Sequence, residues 1–227
     1  MADTDAVALE RLLVDRWSCR AFRPDPVPGE TIRRMFEIAQ RAPSWCNTQP
    51  WQVHVTSGES TTRFRDALVE HVRASGVPSE PDYPMPLGYH GIHRERRRES
   101  GWQLYDAVGV ARGDREASAR QAFRNYELFG APHVAIITTV REQQVYGAVD
   151  AGIYIGTLLL AAQSLGVAAI PQAALARLAP FLRTHFQIDE SRGVLLATSF
   201  GFADLGHPAN SYRTRRAEID DAVTWHD

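Results

Sequence analysis

The run from Ala148 to Leu165, AVDAGIYIGTLLLAAQSL, constrains the fold more than any other part of this 227-residue chain. It is apolar almost all round, so no single stripe can face water while the rest is buried. A helix covered on most of its sides is the expected outcome. Its uninterrupted apolar part, Ala151 to Ala162, falls short of the roughly 20 residues a bilayer span needs, and Asp150 and Gln163 flank it. Gly152 and Gly156 stand four apart, a spacing that lets a second helix approach closely. A central helix or a dimer-interface helix follows.

Around it, helices alternate with a few strands. Leu9, Leu12, Leu13 and Trp17 mark a first helix ending near Arg16 or Trp17. Ile32, Met35, Phe36 and Ala39 mark a second, which Pro43 stops at about Ala42 because a residue preceding proline is driven out of the helical region. In WQVHVT, Trp51, Val53 and Val55 alternate with Gln52, His54 and Thr56, the period-two signature of a half-buried strand. Ser60 is placed to cap a third helix with Phe64, Ala67, Leu68 and Val72 inside. Residues 76–91 carry four prolines and read as a mobile or functional loop. Two helical patterns over 93–108 and 114–129 precede the strand HVAIITTV. Further strands are expected in VAAIPQAA and GVLLATSFGFA, with a helix over 180–186 between them. The pattern is α+β with one sheet.

Composition excludes several functions. Hydrophobic residues make up 44%, charged residues 23%, and the formal net charge is −2, so no global field favours nucleic acid or an anionic membrane. Cys19 and Cys46 are too few for a disulfide framework and fit a reducing cytoplasm. The start, MADTDAVALERLL, is acidic and lacks the features of a secretory signal. His90 and His93 form HxxH without a third ligand, so no metal site is expected. No GxGxxG stands at a strand-to-helix turn, so a permanently held dinucleotide is not supported. All 25 residues counted as lysine or arginine are arginine. Any phosphate clamp is therefore built from guanidinium forks.

Three separated motifs carry the chemistry: RWSCRAF at 16–22, PSWCNTQPW at 43–51 and NSYRTRR at 210–216. Arg16, Ser18 and Arg20 alternate on a segment just leaving a helix, which suits one side of an extended chain facing a phosphate and a polyol. A local serine turn with solvated arginines is the competing reading of the same residues. Arg213, Arg215 and Arg216 form a second cationic group, equally legible as a solvated run. Pro43 ends a helix, Ser44 and Asn47 supply short polar groups, Pro50 launches a strand and Trp51 anchors it in the core.

In this order and spacing the motifs resemble the nitroreductase family of FMN-dependent oxidoreductases over nearly the whole chain. FGAP at 129–132 and IPQAA at 170–174 make it most similar to the nitrobenzoate-reductase-like branch. The resemblance implies a single FMN-binding domain over 1–227, with a central, mostly antiparallel sheet flanked by helices, in an intertwined homodimer. It implies that Arg16, Trp17, Ser18 and Arg20 contact FMN, and that Arg216 with either Arg213 or Arg215 reaches its phosphate. Pro43, Ser44, Trp45 and Asn47 would approach the flavin ring of the second subunit, and Pro171, Gln172 and Ala173 would bring backbone amides to its edge. Trp45 departs from the small residue common at that place, and either narrows the substrate space or fills core. No protein nucleophile, acid or base is assigned.

The implied activity passes electrons from NADH or NADPH, docking transiently, to nitroaromatic, quinone or related acceptors by a ping-pong mechanism. Reductive dehalogenation and a non-catalytic flavin-binding module are the alternatives, the first disfavoured because no Glu, Tyr and Lys set for an iodotyrosine-like substrate is present. The implied location is the cytoplasm.

Overall fold

The computed structural model describes residues 2–76 and 79–226. The helices are α1 (Ala2–Asp15), α2 (Gly29–Ala39), α3 (Glu59–Ser75), α4 (Gly91–Ala107), α5 (Arg115–Phe123), α6 (Gln144–Ser164) and α7 (Ala179–Phe186). The strands are β1 (Gln52–Ser57), β2 (His133–Val140), β3 (Ala168–Gln172) and β4 (Arg192–Gly201). They form one antiparallel sheet in the order β1-β2-β4-β3.

β2 is buried at every position but its last because both of its faces are covered. Val134 and Ile136 point into one core with Phe64 and Leu68 of α3 and Leu182 of α7. Ala135 and Ile137 point into another with Met35 and Ala39 of α2 and Tyr154, Leu158 and Ala162 of α6. Full burial of a Leu, Ile or Phe side chain contributes about 1.5 to 3 kcal/mol, so these two clusters lock the helices to the sheet.

Several local expectations need correction. α2 ends at Ala39, three residues before the expected stop: the Gln40 amide still makes a helical bond to Phe36, but the amides of Arg41 and Ala42 close tighter turns on Ile38 and Ala39. Ser60 lies inside α3 rather than capping it, since its hydroxyl donates to the Ser57 carbonyl and accepts from the Ser57 amide. β1 is an edge strand, and its alternation is not the expected one: Thr56 is buried and bonded by the Thr61 hydroxyl, whereas Val55 is 41% exposed. Residues 79–86 do not hang free. The Asp82 carboxylate accepts from the Val194 amide at 2.7 Å and from Arg183 at 2.8 Å, and also pairs with Arg141.

α6 is also less enclosed than its composition predicts. Ala151, Tyr154, Ile155 and Leu158 are buried, but Val145, Tyr146, Val149 and Ile153 on its other side are 41–64% exposed. Gly152 and Gly156 lie on that outer stripe, with open space where a Cβ would stand. By length and mean hydropathy, residues 141–164 would suffice to cross a membrane, contrary to the length argument from the uninterrupted segment. The Ala151 and Leu158 side is nevertheless packed on the sheet, and buried Asp150 accepts a hydrogen bond from the Trp45 amide at 3.1 Å, as in a core helix.

Candidate functional site

Where α1 ends, the chain turns extended and runs beside β3. Ser18 bridges to Ala169, and the Cys19 amide donates to the Ala169 carbonyl at 3.2 Å. Further on, the Arg23 amide donates to Phe202 at 2.8 Å, so residues 17–23 are held as an added edge of the sheet. Extended backbone alternates its side chains. Cys19 and Ala21 go inward, and burial pushes the Cys19 thiol up to about 11. Arg16, Ser18 and Arg20 are left to line a cavity of about 660 Å³, together with Trp17.

The other wall of that cavity comes from the opposite end of the chain. Asn210 accepts from the Arg20 amide at 2.8 Å and donates to the carbonyls of Ala21 and Asp204, which pins the tail next to the N-terminal segment. Tyr212, Arg213, Thr214 and Arg216 of that tail line the cavity. The Arg213 guanidinium stacks over the Trp17 ring at 4.0 Å and donates to the carbonyls of Asn210 and Tyr212. Arg20 donates to the Ser18 carbonyl at 3.1 Å. Arg215 turns away and binds Glu99 at 2.7 Å, so of the two candidates it is Arg213 that accompanies Arg216 at the cavity.

Among the described residues, none of Arg16, Arg20, Arg213 and Arg216 has a carboxylate partner within ion-pair distance, whereas Arg215 does. Burial lowers the Arg16 pKa from its ordinary value, and the nearby charge of Arg216 adds to the effect. Trp17 Nε1 and the Tyr212 hydroxyl are buried without a hydrogen-bond partner beside the same space. Buried polar atoms of this kind cost free energy unless a ligand or water meets them. The donor set fits a phosphate-bearing polar molecule.

A second cavity, about 300 Å³, adjoins the first through Arg20, which lines both. Pro171, Gln172 and Ala173 form one side, and Leu104 and Tyr105 of α4 with Gln121 of α5 lie across from them. The Gln172 side chain is spoken for at both ends, accepting from Ser199 and donating to the Asn125 carbonyl at 2.9 Å. It fixes the turn in which residues 171–173 line the cavity. The walls from α4 and α5, and the roles of Asn210 and Tyr212, were not singled out from the sequence. Leu104, Tyr105 and Gln121 sit in ordinary helical patterns that carry no motif, although Asn210 and Tyr212 lie inside the NSYRTRR stretch.

Pro43, Ser44, Trp45 and Asn47 line neither cavity of their own chain. Their loop lies beside the exposed stripe of α6, where Trp45, 59% exposed, packs edge-on against Tyr146 at 4.5 Å. Cys46, Asn47 and Gln49 all have positive φ, between 48° and 55°. Left-handed non-glycine residues of this kind cost on the order of 1 kcal/mol or more each, and they persist where surrounding contacts over-determine them. Here the Asp150 carboxylate holds the Trp45 amide and the Ser44 hydroxyl accepts from the Gln49 amide at 2.9 Å. Trp51 is core, stacked on Tyr154 at 4.8 Å.

The family model described as Nitroreductase family matches residues 13–202. Nitroreductase NfnB of Mycolicibacterium smegmatis is 40% identical, with 96% of this chain and 92% of that protein covered. A 4-nitrobenzoate reductase of Nocardioides sp. is 34% identical, with 96% and 90% covered. The crystal structure of the FMN-dependent NfnB from Mycobacterium smegmatis in complex with NADPH superposes with a TM-score of 0.92 at 38% identity, covering 98% of this chain and 99% of that one.

Proposed function

Because the chain belongs to the nitroreductase family, we infer that it is an FMN-dependent oxidoreductase that takes electrons from NAD(P)H and reduces nitroaromatic acceptors. Quinones and related planar acceptors fall within the same reading. The observation that carries it is the meeting of two cavities at Arg20: one is lined by guanidinium groups that have no carboxylate partner among the described residues, and the other is flanked by a backbone turn and by side chains of α4 and α5. Bound FMN supplies the two-electron redox chemistry that side chains lack. Arg16, Arg20, Arg213 and Arg216 hold its phosphate, with Trp17, Ser18 and Tyr212 lining the same end. Pro171, Gln172 and Ala173 border the ring. No side chain acts as nucleophile, and neither the dehalogenase nor the non-catalytic flavin-binding reading gains support.

The active unit in this reading is a homodimer of single-domain chains, in the cytoplasm. Supporting it are the exposed apolar stripe of α6, with its two open glycines, and the strained loop of residues 44–49 beside it. Closing that stripe against a second copy brings Ser44, Trp45 and Asn47 to the partner's flavin. Arg215 has no role at the phosphate. The test is direct: the purified protein retains noncovalent FMN and oxidises NADH or NADPH only when a nitroaromatic or quinone is supplied. A protein that neither holds added FMN nor oxidises either nucleotide contradicts the reading.

A further inference from the structure

A third cavity, of about 430 Å³, lies at the N-terminal half of α4 and belongs to neither of the two already described. Arg94 and Arg97 of α4, Arg177 from the turn after β3, and Tyr89 line it, with Met85 and Gly88. We propose that this cavity receives the 2′-phosphate of NADPH, so that Arg94, Arg97 and Arg177 set the choice of NADPH over NADH. The proposal rests on the reading of the chain as an NAD(P)H oxidoreductase and adds to it the residues that distinguish the two donors.

Among the described residues, none of these three guanidinium groups makes an ion pair or a side-chain hydrogen bond, although α4 pairs Arg96 with Asp221 and Glu99 with Arg215. Glu80, whose amide donates to the Arg177 carbonyl at 3.0 Å, forms no ion pair with Arg177. At 3.6 residues per turn, Arg94, Arg97, Leu104 and Tyr105 fall on one stripe of α4, about 100° wide. Glu95, Glu99 and Asp106 project from roughly the opposite side. Three guanidinium forks facing one space with no carboxylate among them suit a phosphate monoester dianion.

The same stripe that carries Arg94 and Arg97 carries Leu104 and Tyr105 into the ring cavity. At 1.5 Å per residue the two groups are separated by roughly 10 to 17 Å along the helix. A donor with a redox ring at one end and an adenosine phosphate at the other spans such a separation. The carboxylate of a small nitroarene, whose own ring must occupy the ring cavity, does not. Tyr89, 46% exposed with the Arg97 guanidinium 5.5 Å from its ring centroid, gives the adenine a flat surface at the same place.

The test compares kcat/KM for NADPH and NADH in the FMN-loaded enzyme and in its Arg94→Gln, Arg97→Gln and Arg177→Gln variants. The parent favours NADPH, and each variant lowers the NADPH-to-NADH ratio, with the Arg97→Gln, Arg177→Gln double variant lowering it tenfold or more. Retained flavin absorbance shows that a variant is folded. Calorimetric titration with 2′,5′-ADP and with 5′-AMP stands independently of turnover: 2′,5′-ADP binds the parent at least tenfold more tightly, and the double variant binds the two alike. An unchanged ratio in the double variant, or equal binding of both probes to the parent, overturns the proposal. Failure to oxidise either nucleotide would instead sink the oxidoreductase reading, and the titration would still decide whether the phosphate site exists.

Discussion

The Arg20 amide donates to the Asn210 side-chain oxygen at 2.8 Å, joining positions 190 residues apart at the point where the two walls of the larger cavity meet. Asn210 is 3% exposed, and its amide nitrogen donates to Ala21 and Asp204. Truncation to Ala leaves these buried groups unpaired, at about 1 to 3 kcal/mol for such a loss. Asn210→Ala should therefore lower the urea midpoint, and it should also weaken FMN retention because the tail carrying Arg213 is released. Unchanged stability and unchanged FMN affinity would mean the tail is held by other contacts.

Arg20 and Arg213 should matter for FMN itself. A hydrogen bond to a charged group is worth about 1.5 to 3 kcal/mol, or ten- to a hundredfold in affinity. Arg20→Ala and Arg213→Ala should each weaken FMN binding by that range in fluorescence titration, while Arg215→Ala, which removes only the exposed pair with Glu99, should change it less than threefold. An equal loss for Arg215→Ala would reverse the assignment of the phosphate end.

The sequence made Arg16, Ser18 and Arg20 legible because an extended segment alternates its side chains. It left Arg213 and Arg215 undecided because their directions depend on Trp17 and on Glu99, the latter 116 residues away from Arg215. Strands and their order along the chain could be read from periodicity, but β1 could not be read inside from outside, since Thr56 is buried by a hydroxyl pair with Thr61 rather than by apolarity. α6 shows the same limit. Apolar composition records that a surface is to be covered, not which neighbour covers it. The positive φ values at Cys46 and Gln49 left no mark in residue type, unlike the glycine that such a conformation favours.

His133 predicts the acid side of the stability curve. Its Nε2 accepts from the Val27 amide at 2.9 Å, so the proton sits on Nδ1, facing the Ser57 hydroxyl and the Thr56 carbonyl. Burial lowers its pKa, with the Thr56 contact acting in the opposite sense. Burial also lowers His54, with Arg192 adding to it, and lowers His185. The unfolded chain then binds protons near pH 6.5 that the folded chain refuses, so stability is full above about pH 6.5 and declines as pH falls through the lower folded values. Tm should fall between pH 7 and pH 5, less steeply in His133→Gln. A flat Tm across that interval would contradict the buried neutral imidazole.

Gly193 lies against the ring of Tyr83, and a Cβ there would come within 2.5 Å of it. Gly193→Ala should destabilise the protein by about 1 to 3 kcal/mol through this overpacking, while loosening the residues 79–86 that Asp82 ties down. Limited proteolysis should then cut that segment in the variant first. Resistance equal to that of the parent would show that the ring moves aside freely.

Gly152→Leu tests the shared assembly, because a Cβ added there meets nothing within 4 Å in the single chain, and the larger side chain on that open side would hold another helix away. Sedimentation should give a dimer for the parent and a folded monomer with impaired FMN retention for the variant. A parent that sediments as an FMN-holding monomer would remove Ser44, Trp45 and Asn47 from the flavin site.

In the proposed mechanism donor and acceptor use one ring cavity by turns. Steady-state rates measured over a grid of NADPH and nitroaromatic concentrations test this most directly. Parallel double-reciprocal lines are predicted, since the oxidised nucleotide must leave before the acceptor enters. Intersecting lines, the signature of both molecules bound together, would contradict it.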